Sequence, residues 1–142
     1  MLIKFFTPVE QEYGKVFSQF DEKLFESLNP PLMPVKLMRF DGCKKGDEVH
    51  LDFPFGQKWI SVITESKETE NQIFFVDEGR LLPFPLKKWQ HFHRILYNKE
   101  QSIIVDEIYF QTNYLLLDYL VYPLFWLVFG YRKNIYKKKF AD

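Results

Sequence analysis

The 142-residue sequence has a single cysteine and no excess of either charge, because 19 Lys and Arg residues balance 19 Asp and Glu residues. One thiol forms no internal disulfide, which favours a reducing compartment, the cytoplasm. The balanced charge provides no uniform positive field for phosphate backbones, so we expect no nucleic-acid partner. Lysines beside Cys43 could lower the pKa of its thiol, but no His or second Cys accompanies it, and we do not expect a nucleophile there.

Motifs of several common chemistries are also missing. The sequence has no phosphate-binding glycine loop, nucleophile elbow, zinc motif or pair of catalytic carboxylates, and these absences argue against mononucleotide binding and hydrolysis. The first residues lack a basic region followed by an apolar run, so we expect no signal peptide. We predict no cofactor. The oligomeric state stays open.

The longest apolar run, Tyr114 to Tyr131, is interrupted by Asp118 and Pro123. The uninterrupted part is shorter than the ~20 apolar residues that cross a bilayer, so we expect no integral membrane segment. We predict instead a C-terminal helix over 115–140 that is buried along most of its length, with a kink or a new helix start at Pro123. Peripheral contact with anionic lipid is the alternative, through this helix and its basic end, Lys137, Lys138 and Lys139.

Aromatic residues are abundant, with 16 Phe, 8 Tyr and 3 Trp, which excludes a disordered chain. The length predicts one domain over residues 1–142. A first strand is predicted at 2–6, followed over 9–28 by a helical apolar stripe that forms one helix or two short helices, and that Pro30 and Pro31 end. Six further strands are predicted at 35–41, 48–55, 58–66, 72–78, 86–97 and 102–112. Their short connections predict an antiparallel meander, and a curved sheet of this kind can wrap a long helix and leave an inner space.

This element order resembles the START-like superfamily, also called SRPBCC or helix-grip, which the birch-pollen allergen typifies. Three segments carry the resemblance, and they are typical of a small bacterial ligand-binding branch: LNPPLMPVKLMRFDG, LDFPFGQKWISVIT and FFVDEGRLLPFPLKKWQHFHRI. The resemblance implies an α+β helix-grip fold, in which a seven-stranded curved antiparallel sheet wraps a long C-terminal helix and two short helices follow the first strand. It also implies a cavity for a hydrophobic ligand, although some branches are polyketide cyclases, lipid carriers or oxygenase domains.

The most informative side chains alternate on the sixth strand, where Trp89, His91, His93 and Ile95 project from one face. The imidazoles either bind a ligand oxygen and move a proton, or are structural. A two-residue turn at Asn98-Lys99 or Lys99-Glu100 places Asp106 on the same face, whereas a slip of one residue places it outside.

Metal binding by two histidines and a carboxylate is conceivable here, but we predict no metal. His50 lies too far away, on what we expect to be the outer face with Glu48. Arg39 shares a face with Asp41 and either binds an anionic head group or forms a rim ion pair. The segment from Asp77 to Arg80 is interpreted as a strand end with no role in a site.

Wide aromatic rings can line a void that smaller side chains would fill. The aromatic residues that we predict nearest the cavity are Trp59, Phe75, Trp89, Tyr109, Phe125 and Trp126. The leading hypothesis is binding or carriage of a small hydrophobic molecule, such as a lipid, a polyketide or an isoprenoid. The alternative is a cyclase or dehydratase in which His91 or His93 is the acid/base and Asp106 orients the ring.

Overall fold

The computed structural model describes residues 1–29 and 34–141. Within these residues the elements are β1 Leu2–Val9, α1 Tyr13–Ser18, α2 Glu22–Ser27, β2 Lys36–Phe40, β3 Glu48–Asp52, β4 Lys58–Glu68, β5 Gln72–Leu81, β6 Leu86–Asn98, β7 Gln101–Thr112 and α3 Leu115–Lys139. The predicted element order is confirmed, although β1 and β5 run three residues further than expected. The predicted helix stop at Pro30 and Pro31 lies outside the described residues.

The helical region after β1 divides into two short helices because each has its own N-cap. The Glu12 carboxylate accepts a hydrogen bond from the backbone N–H of Lys15 at 2.7 Å and begins α1. The Asp21 carboxylate accepts from the N–H of Leu24 at 2.9 Å and begins α2. Such caps satisfy backbone donors that have no partner within a helix.

The seven strands form a single antiparallel sheet in the order β1-β7-β6-β5-β4-β3-β2. Strands β2 to β7 are the predicted meander, and β1 adds to the free edge of β7. The pairing shifts register between Leu37 and Arg39, within β4, and between Leu86 and Lys88. Bulges of this kind bend strands and increase twist, which curves the sheet.

The turn between β6 and β7 contains two residues, Lys99 and Glu100, and pairs Asn98 with Gln101. Lys99 adopts a positive φ of 58°, which tight hairpin turns require. The resulting register places Asp106 opposite His93, on the concave face. The structure thus has the predicted turn rather than the slipped alternative.

Helix α3 runs without a break through Pro123, so no new helix begins there. By length and composition it could cross a membrane, but its underside packs on β1 and β7. The prediction that most of the helix is buried is wrong, because within α3 only Asp118, Phe129 and Tyr136 are buried. A helix that lies across the open side of a curved sheet buries one stripe of its side chains and exposes its other side chains.

The core consists of two hydrophobic clusters along α3. One cluster joins α1 and α2 to the C-terminal end of α3, through residues such as Phe20, Phe75 and Tyr136. The other joins the middle of α3 to the sheet through residues such as Trp89 and Phe129. The candidate site lies where the two clusters meet.

Candidate functional site

The site is built on β6, where the predicted alternation is observed. Trp89, His91, His93 and Ile95 all face the interior, and the two imidazoles are only 2% and 3% exposed. Period-two alternation on a strand with one covered face produces this pattern. Burial excludes the interpretation of these histidines as solvent-facing side chains.

Each imidazole is hydrogen-bonded to its own carboxylate. His91 Nε2 lies 2.8 Å from Asp106 Oδ1, and His93 Nε2 lies 2.7 Å from Asp77 Oδ2. An ionised carboxylate only accepts, so each Nε2 carries the proton and donates it. The rings stack with centroids 3.6 Å apart and planes inclined by 26°. The result is a stacked pair of histidines with a carboxylate at each end.

Asp77 is the residue that the sequence interpretation missed. It was assigned to a strand end, but β5 continues to Leu81 and pairs Asp77 with His91 across the sheet. Its second oxygen accepts from Trp89 Nε1 at 3.0 Å. The alternation of side chains along a strand could have identified it, because Asp77 is two residues from Phe75 and therefore shares its inward face.

Burial and hydrogen bonding fix the charges of this cluster. Burial lowers the pKa of His91 to about 4, so this ring is neutral at pH 7. Burial alone would raise the pKa of Asp77 and of Asp106, but the hydrogen bonds and charges around them hold both pKa values below the ordinary range. Both carboxylates are therefore ionised, with Asp106 buried and Asp77 half-buried, and they need positive charge or donors nearby.

Arg132 of α3 adds a positive charge that lowers the pKa of Asp106, and the sequence interpretation missed this residue too. Its guanidinium lies over the ring of Phe129 at 4.4 Å from the centroid. The signal available in the sequence was helical spacing, since Arg132 is one turn from both Phe129 and Tyr136 on the inward stripe.

Ligand atoms of Asp77, His91 and His93 lie within 4.8 Å of one another, as a metal site would require. Two features oppose coordination. The stacked rings hold their in-plane lone pairs in two nearly parallel planes, whereas ligands of one ion must converge on it. Both Nε2 atoms are also engaged with carboxylates. The arrangement is therefore suited to holding and moving protons rather than a metal.

A cavity of about 130 Å³ lies between the concave face of the sheet, α2 and α3. Its polar lining comes from Asn29, Ser61, Asp77, His91, His93 and Arg132. Most of the remaining wall is apolar and aromatic, and α3 closes one side with Phe125, Val128 and Phe129. Among the described residues, His93 Nδ1 and Arg132 Nε and Nη1 are buried without a hydrogen-bond partner. Unsatisfied polar atoms beside a cavity are what a polar ligand group would satisfy.

Seven of the ten predicted ligand-binding residues lie at this cavity or directly behind it. Six of them line it: Trp59, Phe75, Trp89, His91, His93 and Phe125. Asp106 is 2% exposed and lies behind the cavity, hydrogen-bonded to His91.

Three predicted cavity residues lie elsewhere. Tyr109 is 41% exposed, because the inward positions of β7 are even-numbered and it is odd-numbered. Trp126 is 51% exposed and packs at the edge of α3, 5.9 Å from the ring of Phe5. Arg39 makes two hydrogen bonds to Asp41, at 2.8 and 2.9 Å, on the exposed surface. The rim ion pair is thus the arrangement observed for Arg39.

The other two noted residues are remote from this chemistry. His50 bonds to Glu48 at 3.0 Å on the outer face, as expected. The suggested lowering of the Cys43 pKa is wrong, because burial, together with nearby carboxylates, raises the pKa of this thiol to about 12. Its Sγ lies 3.6 Å from the carbonyl oxygen of Phe20. Cys43 is therefore a packing residue.

No family model and no curated protein sequence matches the chain. Solved structures do match. An uncharacterised protein of Bacillus thuringiensis aligns over 100% of both chains with a TM-score of 0.69 and 14% identity. The protein XoxI of Bacillus cereus aligns over 98% of this chain and 94% of its own, with a TM-score of 0.67 and 16% identity.

Norcoclaurine synthase of Thalictrum flavum, in complex with dopamine and hydroxybenzaldehyde, aligns over 87% of this chain and 76% of its own. The TM-score is 0.64 and the identity is 11%. The chain has the helix-grip fold. At these identities the similarity establishes the fold, so function must be argued from the site.

Proposed function

We propose that this helix-grip protein binds a small, largely apolar molecule in the cavity beneath α3. The observation that carries the proposal is the coincidence of an apolar cavity with buried polar atoms that have no partner. Packed interiors leave few voids and few unsatisfied groups, so finding both at one place favours a ligand site.

The volume limits the size of the ligand. Pockets for drug-sized ligands measure roughly 300–1,000 Å³, whereas an apolar cavity of about 150 Å³ accommodates benzene. A cavity of about 130 Å³ therefore suits a body of one ring or a short isoprenoid chain. A lipid or an extended polyketide would need α3 to move. The structural neighbour crystallised with hydroxybenzaldehyde holds a ligand of the smaller size.

The charges beside the cavity favour a ligand whose polar end is neutral. Asp77 and Asp106 already place two negative charges beside the cavity, against one positive charge on Arg132. The negative charges already exceed the positive charge here, so a further carboxylate is disfavoured. A neutral carbonyl oxygen can accept from Arg132, and a hydroxyl can donate to His93 Nδ1. We therefore propose a ring-sized aldehyde, ketone or ester.

Thermal unfolding with matched single-ring compounds tests the proposal. We expect 4-hydroxybenzaldehyde to stabilise the protein more than toluene does, and benzoate least. A ligand at 100 times its Kd adds about 2.7 kcal/mol. The Arg132→Met variant should lose the preference for the aldehyde, and Lys133→Met, beside it in the chain, should keep it. Val128→Phe, which fills the cavity, should abolish every shift.

Two results would contradict the proposal. If no compound shifts the unfolding temperature, the cavity does not bind ligands of this class. If Val128→Phe leaves the shifts unchanged, binding occurs elsewhere on the protein. Native mass spectrometry of protein from its own host would identify a retained ligand directly.

We place the protein in the cytoplasm because its single thiol needs no oxidising compartment.

The second candidate is catalysis of a cyclase or dehydratase type, and the pair formed by His93 and Asp77 favours it. Asp77 fixes the proton on Nε2, which leaves Nδ1 of His93, a residue that lines the cavity, as the free base. His91 is less suited because burial lowers its pKa to about 4. If a ketide is turned over, His93→Gln should lose about 10² to 10⁴-fold in kcat. A variant that keeps full turnover would reject this role.

A further inference from the structure

The outward side of α3 is unusually apolar for a protein surface. Eight large apolar or aromatic side chains on this helix are exposed: Leu115, Leu116, Tyr119, Leu120, Leu124, Trp126, Leu127 and Tyr131. We call these eight residues the α3 outer face. A soluble protein rarely exposes so many contiguous apolar groups without a partner.

Helical geometry shows that these side chains form one continuous face. At 3.6 residues per turn they occupy about half of the circumference of the helix. The other half contains Phe125, Phe129 and Tyr136, which pack toward the sheet. The α3 outer face is therefore not needed to close the domain.

Basic residues continue this face toward the C-terminus. Lys137 and Lys138 are exposed and point to the same side of the helix as the α3 outer face. The only carboxylate of the helix, Asp118, is buried and accepts a hydrogen bond from the N–H of Thr112. Helix α3 has a net charge of +4, so the remaining residues of the neutral chain have −4.

We propose that the α3 outer face docks on an anionic lipid surface. Leucines enter the boundary between head groups and acyl chains, Tyr119, Trp126 and Tyr131 lie at the interface, and the lysines contact lipid phosphates. The helix lies in the plane of the membrane, because its underside holds the sheet. This proposal is independent of the cavity and its ligand.

Charge complementarity favours lipid over a second copy of the chain. In an antiparallel pair of α3 helices, Lys137 and Lys138 would meet the first turns of the partner helix, whose only carboxylate is buried. In a parallel pair they would meet each other. Neither arrangement neutralises the lysines, whereas anionic head groups do.

Vesicle sedimentation with the full chain tests the proposal. We expect binding to phosphatidylcholine vesicles that contain about 30 mol % phosphatidylglycerol, and weaker binding to pure phosphatidylcholine or in high salt. Trp126 is exposed while Trp59 and Trp89 are buried, so docking should blue-shift the fluorescence. Trp126→Phe should lose that shift.

Matched variants separate the apolar and electrostatic contributions. Each basic residue near an anionic surface contributes about fivefold, so Lys137→Gln/Lys138→Gln should weaken partitioning about 25-fold. Lys44→Gln/Lys45→Gln removes two exposed charges from a loop and should leave partitioning unchanged.

The apolar contribution has its own matched pair. Leu120→Gln should weaken partitioning about tenfold. Met38→Gln is the control, because Met38 is 52% exposed on β2 against 63% for Leu120. Leu120 and Met38 are exposed, so both variants should fold. The fluorescence of Trp126 also reports docking of the unmodified protein, which needs no substitution.

Three outcomes would overturn the proposal. The first is no sedimentation with phosphatidylglycerol vesicles at micromolar protein. The second is equal binding by the Lys137→Gln/Lys138→Gln variant and its Lys44→Gln/Lys45→Gln control. The third is a dimer, detected by light scattering, that Leu120→Gln dissociates, since the α3 outer face would then be covered by a second copy.

Discussion

His91 and His93 stack face to face, yet they donate their Nε2 protons in opposite directions, to Asp106 and to Asp77. Each ring thereby has one engaged nitrogen. Arg132 stands near this group on the helix side. Five ionisable side chains, three buried and two half-buried, lie together here and make stability and ligand binding sensitive to pH and to single substitutions.

The free energy of unfolding should fall as the pH decreases from about 6.5 to about 4. The folded protein keeps His91 neutral because burial lowers its pKa to about 4, whereas His91 in the unfolded chain takes up a proton near 6.5. The contribution of His91 to the free energy of unfolding is therefore complete above pH 6.5 and is lost as the pH falls toward 4. It amounts to about 3 kcal/mol in total. Urea denaturation across this range measures it. The slope should decrease in His91→Gln and persist in His50→Gln, on the outer face.

Removing the acceptor of His91 should destabilise the protein strongly. Asp106→Ala leaves the buried, neutral imidazole N–H without a partner and should cost about 2–3 kcal/mol. Asp106→Asn retains an accepting oxygen and should cost about 1–2 kcal/mol. The neighbouring Glu107→Gln weakens the ion pairs with Lys4 and Arg94 but keeps an oxygen that can accept from the Tyr109 hydroxyl, and it should cost about 1 kcal/mol. Equal denaturation midpoints for the two Asp106 variants would contradict this assignment.

The two sides of α3 should differ sharply in stability measurements. Phe129→Ala creates a void in the cluster beneath the helix and should cost about 3–5 kcal/mol. Leu127→Ala, two positions away on the outer side, should change stability by less than about 0.5 kcal/mol. Chemical denaturation compares the two variants. A large loss in Leu127→Ala would show that the outer side is covered in solution.

A substitution in the turn between β6 and β7 should increase the stability of the protein. Lys99 holds a positive φ that glycine adopts without steric cost, so Lys99→Gly should raise the free energy of unfolding by about 0.5–1 kcal/mol. Glu100 lies outside the left-handed region, and Glu100→Gly should bring no gain. Denaturation midpoints of the two variants provide the test, and a gain from both would contradict the geometric reason.

Sequence patterns predicted the sheet and the position of its histidines well. Short turns fix the register of consecutive antiparallel strands, so a two-residue turn sufficed to bring Asp106 to the face of His91 and His93. The same parity argument, applied fully, excludes Tyr109 from the cavity. Its even-numbered neighbours, Ile108 among them, face inward.

Patterns were less informative where the partner lies on another element. Asp77 lies within the predicted strand 72–78, but its role depends on the donors of Trp89 and His93, which the neighbouring strand brings to it. Arg132 reaches the site because α3 crosses the sheet at one particular rotation. Neither the rotation of a helix about its axis nor the small buried fraction of α3 follows from local hydrophobicity.

Residues of both hydrophobic clusters line the cavity, so an occupant would contact both of them beneath the middle of α3. A bound ligand would add apolar contacts that connect the two hydrophobic clusters. Amide hydrogens around Phe125 and Phe129 should then exchange more slowly once the cavity is filled, while those beside Phe140 keep their rate. Occupancy would thus be transmitted along the helix as rigidity, without any change of shape.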